Sequence, residues 1–256
     1  MKESWHARRI GEAEEFWQEE FLDPASTFQT VKSTEISGEE RRRLEVDVAV
    51  EEMIALVLNG VKVADLPCLP SQLEELAVGH LVCEGFLEGI EDLVSVRVED
   101  GEIFCEGRVG LKRREARPAA SEMRISPEAI YRALDEVHER ALIWRRTGGT
   151  HSALFLREDG RSRYFCEDVS RSSAVDKAIG SALMARADLS RSALITTGRL
   201  SSAIVSKAAM SGVPVLVSRA APLMAGIDLA ERLGMTLAAF ARRPKLYIYT
   251  GEERIL

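Results

Sequence analysis

From residue 28 onward the apolar and polar positions first alternate, then bunch into short runs, and finally take up a helical period between strand-like runs. The stretch "RLEVDVAVEE" alternates in part, and "MIALVLNGVKVADL" is two apolar runs either side of Asn59-Gly60. Asn-Gly between such runs is the strongest short-range hairpin signal, because a tight two-residue turn needs positive φ at both central residues. Residues 28–66 therefore read as β-structure. From Pro70 to Phe86, "PSQLEELAVGHLVCEGF" has apolar residues at 73, 76, 77, 81 and 82, a helix period with proline at its start and Gly85 near its end. Two short strands, "LVSVRVE" and "EIFCEGRV", follow around Asp100-Gly101. Residues 110–124, "GLKRREARPAASEMR", are polar and basic without a period and read as a loop. Ser126-Pro127 opens a helix to about residue 142, with serine as N-cap and proline in the first helical position. "SALFLREDGRSRYFCE" is another hairpin, turning near Asp159-Gly160.

Beyond residue 166 the pattern changes. Helices over 173–186, 201–211 and 222–233 lead into "SALITT", "VPVLVS" and "MTLAAFA", and "KLYIYT" is a last strand. Such alternation is the signature of βαβ units. The expected fold class is α/β (α+β when the whole chain is counted). A mixed, mostly parallel sheet flanked by helices would occupy residues 126–256. A smaller β-rich lobe with one helix and the basic loop 110–125 would occupy 28–125. Residues 1–27 would be an acidic, helical N-terminal arm.

Composition narrows the function classes. The chain has 256 residues, 46% hydrophobic and 29% charged, enough for one sizeable core or a main domain with a lobe. A net charge of -7 argues against a general nucleic-acid-binding surface. No stretch approaches the roughly 20 apolar residues that span a bilayer, and the charged N-terminus has no signal-peptide core. The expectation is a cytoplasmic protein with no membrane or nucleic-acid partner. Cys68, Cys83, Cys105 and Cys166 include no CxxC pair, and the four histidines have no zinc-like spacing. They read as buried thiols in a reducing compartment, with no bound metal.

Charge is nevertheless gathered where α/β sheets bind ligands, outside the carboxyl ends of strands. The strand exits "TTGRLSS", "SRAAP" and "ARRPK" carry Arg199, Arg219, Arg242, Arg243 and Lys245. Thr196, Thr197, Ser201 and Ser218 add hydroxyls, and each of the first two exits opens a helix, whose free N–H groups suit an anion. Gly198 permits close backbone approach. The pattern points to a phosphate-bearing ligand; the plainer alternative is that these arginines are solvated or paired with carboxylates. Gly148-Gly149, flanked by Thr147, Thr150 and His151, can present amides to a ligand. In "CEDVSRSSAVDKAIG", Glu167 and Asp168 could be an acid/base pair, or could favour a helix N-terminus that Ser172 or Ser173 caps.

Taken together, "VEEMIALVLNG", "LEELAVGHLVCEGFL", "TGGTHSALF", "CEDVSRSSAVDKAIG", "TTGRLSSAIVSKAAMSGVPVLVSRAAP" and "LAERLGMTLAAFARRPKLYIYTG" resemble the FdhD family in order and spacing, from about residue 45 to 256. The resemblance implies a formate dehydrogenase accessory protein. Such proteins form homodimers, take sulfur from a cysteine desulfurase and deliver it to the molybdenum cofactor, bis-molybdopterin guanine dinucleotide, for which GDP is a surrogate. It implies a cytidine-deaminase-like main domain without the zinc. Carried over by position, the cofactor-binding stretch is Phe240, Ala241, Arg242, Arg243, Pro244 and Lys245. Thr147, Gly148, Gly149, Thr150, His151, Thr197, Gly198, Arg199, Ser218, Arg219 and Pro222 would line the same pocket. Glu167, Asp168 and Arg171 would face it, supported by Asp176 and Lys177.

Two departures stand out. The family's sulfur-carrying cysteine lies in a CxxC-type loop that corresponds here to "RREARPAASEMRISPEA", which has no cysteine. A persulfide needs a nucleophilic thiolate on an exposed segment. Cys105 is the nearest thiol before the loop, a weak candidate on a predicted strand, so whether the chain is a sulfurtransferase stays open at this level. The family's EDVGRHNAVDK also reads EDVSRSSAVDK here, losing a titratable histidine and an amide. The alternative reading is a non-catalytic paralogue that holds the cofactor or a nucleotide as carrier or chaperone.

Overall fold

The computed structural model describes residues 27–108, 110 and 112–256. The predicted helical arm, up to residue 26, lies outside the described residues. Three sheets follow in chain order. Strands β1 (Phe28–Ser37) and β2 (Glu40–Ala49) form an antiparallel hairpin that pairs with no other strand of the described residues. Strands β3 (Glu52–Leu58), β4 (Val61–Cys68), β5 (Leu93–Glu99) and β6 (Glu102–Gly107) form a second sheet in the order β4-β3-β6-β5. Its two hairpins turn at Asn59-Gly60 and Asp100-Gly101, all four residues at positive φ, as the sequence requires.

The third sheet is the scaffold of the site. It holds β7 (His151–Arg157), β8 (Ser162–Asp168), β9 (Ser192–Thr196), β10 (Val215–Ser218), β11 (Thr236–Arg242) and β12 (Lys245–Thr250), in the order β12-β11-β10-β9-β7-β8. The sheet is mixed. β9, β10 and β11 run parallel because helices return the chain between them; β7, β8 and β12 pair antiparallel, two of those pairings closed by short turns. The reversal brings the start of β7 and the ends of β8, β9, β10 and β11 to one end of the sheet.

Helices cover both faces, and the alternation of each strand decides which residues they meet. Helix α2 (Pro127–Arg140) lays Ile130, Leu134 and Val137 against Leu154, Ile195 and Val217. Ser126 caps it as expected, its hydroxyl accepting from the Ala129 N–H at 3.2 Å. Helices α4 (Arg171–Met184), α5 (Ser202–Met210) and α6 (Met224–Arg232) lie on the opposite face with Phe155, Leu194 and Leu216.

Helix α1 (Leu73–Cys83) carries the core of the four-stranded sheet and also crosses α4. Their backbones meet at two glycines. A Cβ on Gly79 would lie 1.8 Å from the Asp176 carbonyl oxygen, and one on Gly180 would lie 1.9 Å from that of Glu75. The segment read as a loop has neither helix nor strand between 112 and 124, yet it is tied down. The Arg114 guanidinium donates to the carbonyls of Leu87, Val82 and Met210 at 3.1, 3.4 and 2.6 Å. Further along, Ser121 Oγ donates to the Ser190 carbonyl at 2.6 Å.

Helix α3 (Leu142–Thr147) has no counterpart in the periodicity, which is carried by α2 up to residue 140. Six residues are too few to show a period. What starts α3 is a side chain far along the chain: Glu167 accepts the N–H groups of Ile143 at 3.0 Å and Trp144 at 2.9 Å.

Candidate anion-binding site

The strand exits are laced together before any ligand is considered. Ser218 Oγ donates to the Gly198 carbonyl at 2.6 Å and accepts from the Ala220 N–H at 2.9 Å. The Leu200 N–H donates to Ala221, and the Leu223 N–H returns to Leu200. Phe240 sits at φ 49, its N–H reaching the Ala220 carbonyl at 3.2 Å, so its ring turns outward and meets Tyr247 edge-on at 6.1 Å. Pro222 bridges to Leu200 in the same lacework. These bonds hold Arg199 and Arg219 on short, stiff exits.

The charged residues then divide between the two faces of the sheet. On the α2 face, Arg219, Ala241, Arg242 and Arg243 line a cleft of about 420 Å³ with Tyr131, Asp135 and His138. Arg243 is committed within it. Its guanidinium bonds both Glu128 carboxylate oxygens at 2.9 Å, reaches Asp135 at 3.4 Å and lies over the Tyr131 ring at 5.3 Å. The guanidiniums of Arg242 and Arg219 form no ion pair or hydrogen bond with a described residue. Pro244 and Lys245 are exposed beside them. The α2 contributors Tyr131, Asp135 and His138 escape a motif search, but they fall at i, i+4 and i+7, one stripe of the amphipathic helix.

On the α4 face, His151, Arg171, Thr197, Gly198 and Arg199 come together. A Cβ on Gly198 would lie 2.9 Å from the Arg171 Cβ, so the arginine stem rests on the glycine. His151 Nδ1 is 3.3 Å from Thr197 Oγ1, which also accepts the Ser152 N–H at 2.9 Å. Burial, with the Arg171 and Arg199 guanidiniums beside it, holds His151 below its ordinary value. Both arginines are exposed and form no ion pair with a described residue.

Other expected site residues are occupied by the scaffold. Glu167 is buried, and besides capping α3 it accepts the Thr150 hydroxyl at 2.8 Å. Asp168 is fully buried 2.6 Å from Lys177 Nζ and also accepts the N–H groups of Ser170 and Leu69 at 2.8 and 3.1 Å. Burial pushes its carboxyl up, and the Lys177 ammonium and these amides oppose the push. Asp176 bonds Lys207 Nζ through both oxygens at 2.9 Å and His80 Nδ1 at 3.1 Å. These carboxylates face the interior, and none is open to a pocket ligand. The cap of α4 is Ser170, accepting from the Ser173 N–H at 3.3 Å, in place of the expected Ser172 or Ser173. Thr147 spends its hydroxyl on the Ile143 carbonyl and the Gly149 N–H. Gly148 caps α3 at φ 68, and Gly149 packs on Ala49 of β2, at the margin of the arginine-bearing exits.

All four cysteines are buried. Burial pushes the Cys68, Cys105 and Cys166 thiols up to about 12, and Cys83 well above its ordinary value. Cys105 lies inside β6 beneath α1, the reverse of the electropositive, accessible setting a sulfur-carrying thiolate needs. No group of three or more potential metal ligands forms among the described residues. No helix of the described residues is long and apolar enough to cross a membrane.

Comparison with known proteins assigns the family. The model of the FdhD/NarQ family matches residues 49–117 and 105–256. The chain belongs to the FdhD/NarQ family. Among its relatives in this family, the sulfur carrier protein FdhD of Wolinella succinogenes is 38% identical over 239 residues, covering 82% of this chain and 83% of the relative. The sulfur carrier protein FdhD of Methanothermobacter thermautotrophicus is 33% identical, covering 85% of this chain and 95% of the relative. The crystal structure of a formate dehydrogenase accessory protein from Desulfotalea psychrophila superimposes with a TM-score of 0.81 at 31% identity, covering 90% of this chain and all of that one. Within an FdhD/NarQ fold, then, this chain presents arginine-bearing strand exits and buries all four of its thiols.

The thiol burial has a direct test. In the native protein a disulfide reagent such as DTNB should label less than one thiol per chain within minutes, and all four after denaturation. Rapid native labelling at any one position would contradict the buried arrangement.

Proposed function

We propose that this FdhD/NarQ protein binds the guanine-nucleotide portion of bis-molybdopterin guanine dinucleotide at the arginine-bearing end of its six-stranded sheet. It holds the cofactor for formate dehydrogenase without passing sulfur through a thiol of its own. The observation that carries the reading is the set of four guanidiniums, Arg171, Arg199, Arg219 and Arg242, gathered at one end of the sheet with no carboxylate partner among the described residues. A chain of net charge -7 has ample carboxylates to neutralise them, so leaving them free suits an anionic ligand. A dinucleotide cofactor supplies that anion through its phosphates, and its guanine has a mixed polar and aromatic cleft at hand in Tyr131, Asp135 and His138. The cofactor is cargo here, and these residues would bind and orient it. The buried cysteines favour holding over sulfur relay.

GDP, the accessible probe, should raise the unfolding free energy by about 2.7 kcal/mol at 100 times its dissociation constant. Removing both Arg219 and Arg242 by alanine substitution should weaken GDP binding by at least tenfold in calorimetry, since hydrogen bonds to charged groups contribute roughly 1.5–3 kcal/mol each. No binding at millimolar GDP, or an unchanged affinity in the double variant, would overturn the assignment. Incubation with a cysteine desulfurase and labelled cysteine should leave no durable label; label lost on one Cys→Ala substitution would restore the sulfur relay. The same reading expects a second copy of the chain as partner, which sedimentation would show as a dimer.

A further inference from the structure

The arginines of the α2 face sit beside acidic side chains, while those of the α4 face do not. Each buried carboxylate of the described residues, Glu167, Asp168 and Asp176, is already engaged, Asp176 of α4 with Lys207 and His80. Across the strand pair on β8, Asp168 is paired with Lys177 and Glu167 with the α3 amides and Thr150. On β2, Asp47 is paired with Arg146 of α3 at 2.5 Å. What faces His151 with its charge free is Arg171 at the start of α4 and Arg199 at the exit of β9. Two cations and one basic ring, with no ion-paired counter-charge among the described residues, make a setting suited to an anion.

We propose that His151, Arg171 and Arg199 form an oxyanion subsite that takes a doubly charged phosphate group together with one proton on His151. The assignment to a nucleotide phosphate rests on the function proposed above; the proton coupling stands on this cluster alone. In the free protein partial burial, with the two guanidiniums beside it, disfavours the charged ring. An anion seated between the guanidiniums removes their repulsion, and the ring then takes a proton from solvent. Thr197 allows both states, because its hydroxyl can donate to Nδ1 or accept from it while keeping the Ser152 N–H. The protonated ring then offers Nε2–H to the anion. Binding therefore tightens as the pH falls from the bound-state toward the free-state midpoint of the ring, and Ser172 and Ser173, in the first turn of α4, contribute no competing charge.

Sulfate is a suitable probe, because it is divalent and does not itself titrate in this range. The His151 Cε1–H resonance, assigned by its loss in His151→Gln, is followed against pH with sulfate and with chloride at equal ionic strength. In chloride the midpoint should fall below about 6.5. Saturating sulfate should raise it by about one unit, which by linkage is a tenfold tighter sulfate affinity at low pH than at high pH. Arg171→Ala with Arg199→Ala should raise the midpoint in chloride and abolish the sulfate response. His151→Gln should flatten the pH dependence of sulfate binding while keeping part of the affinity. An unchanged midpoint in sulfate, or a full response without both arginines, overturns the proposal. GDP distinguishes the two readings. GDP binding that leaves His151 untouched sinks the subsite and spares the nucleotide reading, whereas a sulfate response without GDP binding does the reverse.

Discussion

Replacing Lys177 by methionine should lower the unfolding free energy by about 3–5 kcal/mol, the cost of leaving a buried charge without its partner. Both side chains of the Lys177–Asp168 pair are fully buried, 2.6 Å apart. Lys177 Nζ also donates to the Leu69 carbonyl at 3.1 Å, and the Leu69 N–H donates back to Asp168 at 3.1 Å. The pair therefore pins α4 to the end of β8 and to the segment between β4 and α1. Methionine keeps the stem length and the helix propensity, so the loss isolates the ammonium. With total stability of about 5–15 kcal/mol for an ordinary domain, the variant should be partly unfolded at 37 °C. Urea denaturation reads the effect.

Two controls decide the cause. Lys177→Met combined with Asp168→Asn should recover much of the loss, because an uncharged pair carries little desolvation cost. The sign of the pH dependence is also set. Without Lys177, burial raises the folded-state value of Asp168 above its unfolded value, so the folded state binds the extra proton. The penalty is then full above that raised value and shrinks as the pH falls through it. A single-variant loss under 1 kcal/mol at pH 8 would mean that Lys177 and Asp168 are not ionised partners.

Gly180→Ala should destabilise by about 3 kcal/mol, the upper end of the usual overpacking range. Helix propensity alone predicts the opposite, a gain of roughly 0.5–1 kcal/mol. The difference lies in what the new methyl meets: the Glu75 carbonyl oxygen at 1.9 Å and its carbon at 2.7 Å, both backbone atoms of α1. No side chain can swing away, so α1 and α4 must separate. Separation strains the Asp176–Lys207–His80 cluster at the same crossing, since His80 reaches from α1 and Lys207 from α5. Denaturant midpoints of Gly180→Ala and Gly79→Ala check this, and a stabilised Gly180→Ala protein would show that the helices do not touch there.

The same contrast between local and distant causes runs through the site. Arg199, Arg219 and Arg242 were legible as strand-exit cations because helix–strand alternation orders the exits along one sheet end, and that alternation lies in the chain itself. Glu167 and Asp168 were legible only as carboxylates before a helix. Whether they face a ligand or the scaffold turns on α3 and Lys177, brought to them by folding. Ser172 and Ser173 were the expected caps of α4, and backbone geometry selects Ser170 at φ -93, ψ 124 in their place. The division of the arginines between two faces follows from strand alternation once the pairing is known; pairing order is not a local property.

The sequence by itself determined the hairpins at Asn59-Gly60 and Asp100-Gly101, the capped helix at Ser126, the α/β alternation after residue 166 and the absence of a thiol from the 110–124 loop. Each depends on residues adjacent in the chain, through allowed φ, missing N–H groups or periodicity. Only the tertiary structure decided the glycine crossing of α1 and α4 and the engagement of Glu167, Asp168 and Asp176. It also decided the separation of two free cationic clusters. These depend on which distant groups share a low-dielectric interior, where an unpaired charge costs several kcal/mol and a single methyl has nowhere to go.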